Sequence, residues 1–184
     1  DLPEIAARCD RYGVKRYLTL NAIMFEGEVE AVERTIVAAQ PYVDAFIVSD
    51  MGAFSLAKQV APKVDLHVST QASVMNAQAA RAWHELGASR VVCAREMSLA
   101  DIIDMRENAP SELEIEAFVH GSMCVSFSGR CLLSNYMIKD LVGGNNNHTV
   151  PCHAQTWSEY VATNNRWQGA PGITWDKAPK GPID

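Results

Sequence analysis

The chain has 184 residues, of which 48% are hydrophobic and 21% are charged, a composition typical of a soluble globular protein. Its 16 Lys and Arg residues against 22 Asp and Glu residues give a formal net charge of −6. These values exclude collagen, a coiled coil and wholesale disorder, and no apolar run approaches the roughly 20 residues that a membrane helix needs. No signal peptide opens the chain, and five cysteines at this length favour a reduced, cytoplasmic protein.

Strand-like and helix-like segments alternate from the N-terminus to about residue 134. The predicted strands are short runs rich in β-branched and aromatic residues: Arg16–Leu20, Ala45–Ser49, Asp65–Ser69, Arg90–Ala94 and Glu114–Val119. The predicted helices lie before and between them: Leu2–Arg11, Glu28–Val43, Gly52–Val60, Asn76–Leu86 with Asn76 as its N-cap, and a helix that Ser98 opens and Pro110 closes. This alternation predicts parallel βα units.

Two architectures fit such units: an open doubly wound sheet and a TIM-type (β/α)₈ barrel. No Gly-rich phosphate fingerprint follows any strand, which weakens the doubly wound alternative. Since a whole barrel needs eight units and the first visible element is a helix, we predict a partial barrel whose beginning is missing. We expect this barrel, with its Cys-rich loop at the C-terminal face, over residues 1–140, and a loop with an irregular Gly/Pro/Trp-rich tail over 141–184. We expect the open sheet edges of this partial barrel to favour self-association.

The cysteines towards the end of the predicted barrel are spaced for a shared site. Cys124 and Cys131 have six residues between them in a turn rich in Gly and Ser, and Cys152 follows a long loop, with His148 and His153 beside it. Thiolates with an occasional imidazole are typical ligands of zinc and of iron–sulfur clusters. Buried or merely reactive thiols are the alternative, and we expect burial for the isolated Cys9 and Cys93.

Several sequence blocks, taken together and in order, resemble one family. They are Glu116–Ser134, His67–Ala72 with Asn76, Arg90–Val92 with Ala94–Leu99, and Phe118–Gly121. The segment 116–134 resembles the signature of the collagenase-like peptidases, peptidase family U32. The stretch from about residue 12 to 134 is similar to the barrel of the tRNA 5-hydroxyuridine hydroxylase branch of that family.

The resemblance implies a fold, a cofactor and a reaction. Members of the family include RNA pyrimidine hydroxylases and quinone-ring hydroxylases that hold a [4Fe–4S] cluster on cysteines, and the RNA branch uses prephenate as oxygen source. By position, Cys124, Cys131 and Cys152 match three of the cluster ligands. The family loop ends Cys-x₃-Cys, whereas this chain has His148 at the first of those positions. Either His148 is the fourth ligand, an external group takes that place, or the cluster is incomplete.

Polar side chains that follow the predicted strands are the remaining candidates for the site, because strand ends converge on one pocket in a barrel. We expect catalytic roles for Gln71, Arg95, Glu96 and His120, and substrate contacts from Thr70, Asn76 and Glu116. Arg95 suits the carboxylate of a small acidic metabolite, and His120 suits proton transfer. The alternatives are an Arg95–Glu96 ion pair at the rim, an Arg95–Glu116 pair, and a His120 hydrogen bond that shapes the Cys loop.

The resemblance therefore implies that the intact protein is an iron–sulfur-dependent hydroxylase of tRNA or other RNA. The chain shows no cluster of Lys and Arg, so phosphate contacts are expected from other segments of the protein. A peptidase is the main alternative, although the chain has neither HExxH nor GxSxG, and a Cys124–His120 pair would compete with the cluster for one sulfur. A quinone-ring hydroxylase and an inactive metal-binding fragment complete the alternatives.

Overall fold

The structure is a computed structural model that describes residues 1–120, 124, 126–130, 161–162 and 166–167. The chain divides into two compact units, Asp1–Ala117 and Phe118–Asp184. The predicted boundary after residue 140 and the end of the Cys-rich loop lie outside the described residues and stay predictions. In the region predicted to be irregular, the structure describes residues 161–162 and 166–167, which form a short antiparallel pair, β6 (Val161–Ala162) and β7 (Arg166–Trp167).

The first unit consists of alternating helices and strands, as the sequence predicts. In chain order they are α1 (Leu2–Tyr12), β1 (Tyr17–Leu20), α2 (Val29–Ala39), β2 (Ala45–Val48), α3 (Met51–Val60), β3 (Asp65–Val68), α4 (Ala77–Leu86), β4 (Arg90–Val92), α5 (Leu99–Asn108) and β5 (Glu114–Glu116). The predicted helix Glu28–Val43 is shorter because 3-10 turns flank it, and the second of them contains Pro41, which lacks a backbone donor. In the described part of the chain, no helix is long and apolar enough to cross a membrane.

Local capping explains where several helices begin. Asp50 and Asn76 accept hydrogen bonds of 2.9 Å from the backbone N–H groups of Ala53 and Ala79, at the starts of α3 and α4. Ser98 and Asp101 form the predicted capping box of α5. Because these caps satisfy backbone donors that have no partner within the helix, each helix starts at a fixed position after the strand before it.

The five strands of the first unit form one parallel sheet in the order β1-β2-β3-β4-β5. A doubly wound sheet reverses its strand order at a switch point, so the consecutive order excludes that alternative for these strands. The register pairs Phe46 of β2 with Leu66 of β3, and Val68 of β3 with Val91 of β4. This parallel α/β sheet is confirmed, and closure into a barrel stays a prediction.

The hydrophobic core lies between one face of this sheet and the helices. Phe46, Val48 and Val68 project from the strands and are fully buried among residues of the helices, such as Ile36 and Phe54. The core also contains Cys93, whose burial confirms the expectation for this thiol, whereas Cys9 on α1 is only partly buried. Close packing of this face is the main source of stability of the first unit.

Replacing Phe46 with Ala should destabilise the protein because it leaves a cavity between β2 and the helices. Large-to-small substitution of a buried aromatic residue costs about 3–5 kcal/mol in the free energy of unfolding. Urea unfolding followed by circular dichroism measures this loss. The matched control is Val37→Ala on the outer side of α2, where the side chain is 47% exposed. Equal losses for the two variants would contradict the position of the core.

Candidate functional site

Hydrogen bonds join the carboxyl ends of the first three strands. Ser49 Oγ, after β2, donates to the carbonyl oxygen of Asn21, after β1, at 2.7 Å. Asn21 Nδ2 lies 3.5 Å from Ser69 Oγ, after β3, and donates to it. The segments that follow β1, β2 and β3 are therefore held against one another at a single edge of the sheet.

A second contact ties the end of β3 to β4. Thr70 Oγ1 donates to the carbonyl oxygen of Cys93 at 2.8 Å, and the backbone N–H of Ala94 donates to the carbonyl of Val74 at 2.9 Å. The N–H of Cys93 in turn donates to the carbonyl of Glu116 at 2.8 Å. Thr70, predicted to contact substrate, thus has an anchoring role in the turn after β3.

The turn after β3 fixes the backbone of Gln71. Ser69 Oγ accepts a hydrogen bond from the N–H of Gln71 at 3.3 Å, and residues Thr70–Ala72 form one turn of 3-10 helix. Ser73 then adopts a left-handed conformation, with φ 56° and ψ 42°, which is strained for a residue with a Cβ atom. The Gln71 side chain is partly exposed, yet its Oε1 atom is buried and has no hydrogen-bond partner within the described residues.

Arg95 and Glu96 occupy the turn that follows β4. The N–H of Met97 donates to the carbonyl of Ala94 at 3.2 Å and closes this turn, and both charged side chains are partly buried. Since β3 and β4 are adjacent parallel strands, the turns that carry Gln71 and Arg95 emerge at the same edge of the sheet. The structure thus brings three of the four predicted catalytic residues to one edge of the first unit.

Two residues that the sequence analysis predicted to contact substrate, Asn76 and Glu116, bind other groups of the protein. Asn76 is exposed, and its Oδ1 atom caps α4. Glu116 forms an ion pair with Arg90, with 3.0 Å between Arg90 Nη1 and Glu116 Oε2, so the structure gives it a partner other than Arg95, which the sequence offered as one alternative. The reason is the register, which pairs Arg90 with Glu114 and places Arg90, Glu114 and Glu116 on one face of the sheet, whereas Arg95 follows the strand.

That face, opposite the core, carries a polar cluster that the sequence did not reveal. Arg90 bonds Glu114 with its Nε at 2.8 Å and its Nη2 at 2.6 Å, and its Cζ lies 5.4 Å from the centre of the Tyr17 ring. The Tyr17 ring meets His67 edge-on at 4.9 Å between centroids. His67, which sequence reasoning treats as an ordinary strand residue, is only 3% exposed, and its Nδ1 has no partner among the described residues.

The electrostatics of this cluster follow from burial and from the central guanidinium. Burial, and then the positive charge of Arg90, lower the pKa of His67 below its usual value. The hydrogen bond from Arg90 lowers the pKa of the Glu114 carboxyl. His67 is therefore a buried neutral imidazole beside a paired cation. The two-residue period of a strand could have placed His67 on this face, since positions 65 and 67 alternate with the core residues Leu66 and Val68.

The other predicted site residues belong to the second unit. His120 is exposed, and Cys124 is a partly buried free cysteine. Cys131, Cys152, His148 and His153 lie outside the described residues, so their convergence stays a prediction. Among the residues that the structure describes, no three His, Cys, Asp or Glu side chains are placed to hold a metal ion.

Fold and site together define a parallel βα protein whose polar residues gather at the carboxyl ends of its strands. The model of the family described as Peptidase family U32 matches residues 1–166. The chain belongs to this family, which confirms the resemblance found in the sequence.

Three relatives illustrate the range of names within the family. The chain is 46% identical over 121 residues to "tRNA hydroxylation protein P" of Helicobacter pylori, covering 65% of this chain and 28% of the relative. It is 36% identical over 136 residues to the "23S rRNA 5-hydroxycytidine C2501 synthase" of Escherichia coli, covering 73% and 20%. It is 34% identical over 144 residues to the "Collagenase" of Porphyromonas gingivalis, covering 73% and 34%. The chain thus spans about a third or less of the length of each.

The buried imidazole predicts a pH dependence of stability. An unfolded His has a pKa near 6.5 and the folded value is lower, so below pH 6.5 the unfolded state binds more protons than the folded state. The contribution of His67 is complete above pH 6.5 and is lost as the pH falls. Unfolding free energies from urea titrations between pH 7.5 and 5 should therefore decline in the wild type.

The variant His67→Phe keeps a ring against Tyr17 and removes the titrating group. Its unfolding free energy should be flatter over the same range, whereas the exposed carboxyl of Glu114, whose pKa is lowered, acts only at more acidic pH. An unchanged slope in His67→Phe would show that another group causes the decline.

Proposed function

We propose that the protein containing this chain is an iron–sulfur-dependent hydroxylase of RNA pyrimidines, built on a TIM-type barrel to which the five described strands contribute. The observation that carries the proposal is the set of polar side chains Gln71, Arg95 and Glu96 at one edge of a parallel sheet, in a family with relatives named for RNA hydroxylation. The carboxyl end of such a sheet is where barrel enzymes bind substrate.

In this proposal, three residues of the chain have separate roles in binding the co-substrate and in proton transfer. Arg95 binds the carboxylate of a small acidic co-substrate, with prephenate as the oxygen source, because a guanidinium presents two parallel N–H donors to a carboxylate. Glu96, its neighbour in the same turn, orients the guanidinium. His120 holds or moves a proton, a role that fits its exposed position and the ability of an imidazole to act as both acid and base.

The donor chemistry of the cysteines fits an iron–sulfur cluster. Cys124 is a free, partly buried thiol, and it would share the cluster with Cys131, Cys152 and either His148 or an external fourth ligand. Zinc is the alternative metal for the same soft donors. When bound, a cluster would supply iron that accepts and gives single electrons, which carboxylate, guanidinium and imidazole side chains do not do.

An RNA substrate requires clustered Lys and Arg side chains for its phosphates, and the sequence of this chain has no such cluster. Its net charge is −6, and the guanidinium of Arg90 is already paired with Glu114 and Glu116. The relatives named for RNA hydroxylation extend well beyond the matched region. In this proposal the phosphate contacts come from parts of the protein beyond this chain, and the chain supplies the pocket for one base.

A collagenase-like peptidase is the second candidate, favoured by the relative of that name. Peptide hydrolysis would need a nucleophile such as the free Cys124 thiol with His120 as its base. A thiolate that ligates iron is not available to attack a carbonyl carbon, so the two functions exclude each other at Cys124. Whether Cys124 ligates a metal or is a free thiol therefore decides between the hydroxylase and the peptidase.

The cluster proposal predicts a visible chromophore. The full-length protein purified without oxygen should be brown, contain iron and sulfide, and show charge-transfer absorption that is lost in Cys124→Ser. The control Cys93→Ser removes a buried thiol of the core and should leave the absorption in place. Colourless protein with stoichiometric zinc would contradict the iron–sulfur assignment, and metal-free protein that cleaves gelatin and loses this activity in Cys124→Ala would favour the peptidase.

The substrate proposal predicts a loss of reaction without a loss of cofactor. In the full-length enzyme, Arg95→Ala should lower RNA hydroxylation, measured by mass spectrometry of digested nucleosides, by at least a hundredfold because the co-substrate carboxylate loses a bidentate ion pair. The cluster spectrum should be unchanged. Arg34→Ala, on the exposed surface of α2, is the control and should retain activity. Full activity of Arg95→Ala would contradict the role of this residue.

A further inference from the structure

Gln71 combines features that an ordinary surface glutamine does not have. Its side chain is partly exposed, but its Oε1 atom is shielded from water and accepts no hydrogen bond from the described residues. A buried acceptor without a donor is costly, and the great majority of buried polar atoms in proteins are paired. Because the side chain as a whole is partly exposed, a change of its rotamer can present this acceptor to a molecule bound at the carboxyl edge of the sheet.

The backbone around Gln71 is held rigidly. Ser69 Oγ binds its N–H group, Thr70 Oγ1 anchors the preceding residue to the carbonyl of Cys93, and Ser73 closes the turn in a left-handed conformation. Strained backbone of this kind persists only where the surroundings enforce it, and it is concentrated at binding sites. An acceptor carried on a fixed backbone selects ligands by hydrogen bonding, because the site loses a bond when the ligand brings no donor.

We propose that Gln71 determines specificity for the target base: its Oε1 accepts the N–H on the Watson–Crick edge of the pyrimidine, N3–H in uracil or N4–H in cytosine. This inference rests on the proposed function. The hydroxylated C5 lies outside the Watson–Crick edge of the ring, separated from N3 by C4, so an amide at that edge holds the base without covering the reacting carbon. Enzymes that act on single bases read them through this edge.

The test combines a change in the protein with a change in the RNA. Full-length wild type, Gln71→Ala and the control Gln59→Ala, on the exposed surface of α3, are assayed with a tRNA stem-loop that carries uridine or N3-methyluridine at the target position. A second pair of RNAs carries cytidine or N4,N4-dimethylcytidine. Binding is measured by fluorescence anisotropy and hydroxylation by mass spectrometry.

We expect methylation of the correct base to weaken binding to the wild type and to Gln59→Ala by tenfold or more. Gln71→Ala should bind the unmethylated RNA about 10- to 100-fold more weakly, and the penalty for methylation should vanish because both the acceptor and the steric conflict are gone. The RNA pair that shows this coupling identifies the donor as N3–H or N4–H. The thermal unfolding temperature of Gln71→Ala should be no lower than that of Gln59→Ala.

Other outcomes overturn the inference in distinguishable ways. An equal methylation penalty in wild type and Gln71→Ala would show that Oε1 does not contact the base edge. A rise confined to the KM of the small acidic co-substrate would place the donor on that molecule instead, and a large fall in unfolding temperature with unchanged discrimination would make Gln71 structural. A wild-type protein that leaves every RNA unmodified would refute the hydroxylase proposal itself.

Discussion

The in-register parallel pairing of β2, β3 and β4 is the constraint on which the candidate site depends. Because the strands run in one direction, the segments after them emerge at one edge of the sheet. The hydrogen bond from Thr70 Oγ1 to the carbonyl of Cys93 then locks the turn after β3 to the end of β4. Without this pairing Gln71 and Arg95, 24 positions apart in the numbering, would have no fixed relation to each other.

The features that the sequence predicted correctly depend on local interactions. Short β-branched runs predicted the five strands, and the caps Asn76 and Ser98 predicted where α4 and α5 begin, because a cap acts on backbone groups within three residues. The parallel arrangement followed from the alternation of helices and strands. The strand ends were predicted less well, since hydrogen bonds of residues such as Ser69 to neighbouring strands and turns decide where extended backbone stops.

The features that sequence reasoning missed depend on register. Glu116 pairs with Arg90 rather than Arg95 because a two-residue period puts positions 114 and 116 beside Arg90 on one face. The burial of His67 against Tyr17 joins strands separated by fifty positions, 67 − 17, and no local pattern contains that contact. The proposed metal ligands are a harder case, because metal binding itself contributes to the folding of the segments that carry such ligands. For these residues, the match of residues 1–166 to the family is the stronger guide.

The two faces of the sheet differ in how much they contribute to the stability of the first unit. The face packed against the helices holds Phe46, Val48 and Val68, and burial of their apolar surface stabilises the unit. The opposite face carries Arg90 with Glu114 and Glu116, and these carboxylates are more than half solvent-exposed or close to it, so their ion pairs contribute little to stability. Substitutions on this polar face and at the carboxyl edge therefore change charge and hydrogen bonding without opening a cavity in the core. A sheet that keeps its stability on one side can vary its chemistry on the other, which is consistent with relatives of one family bearing names as different as an RNA hydroxylation protein and a collagenase.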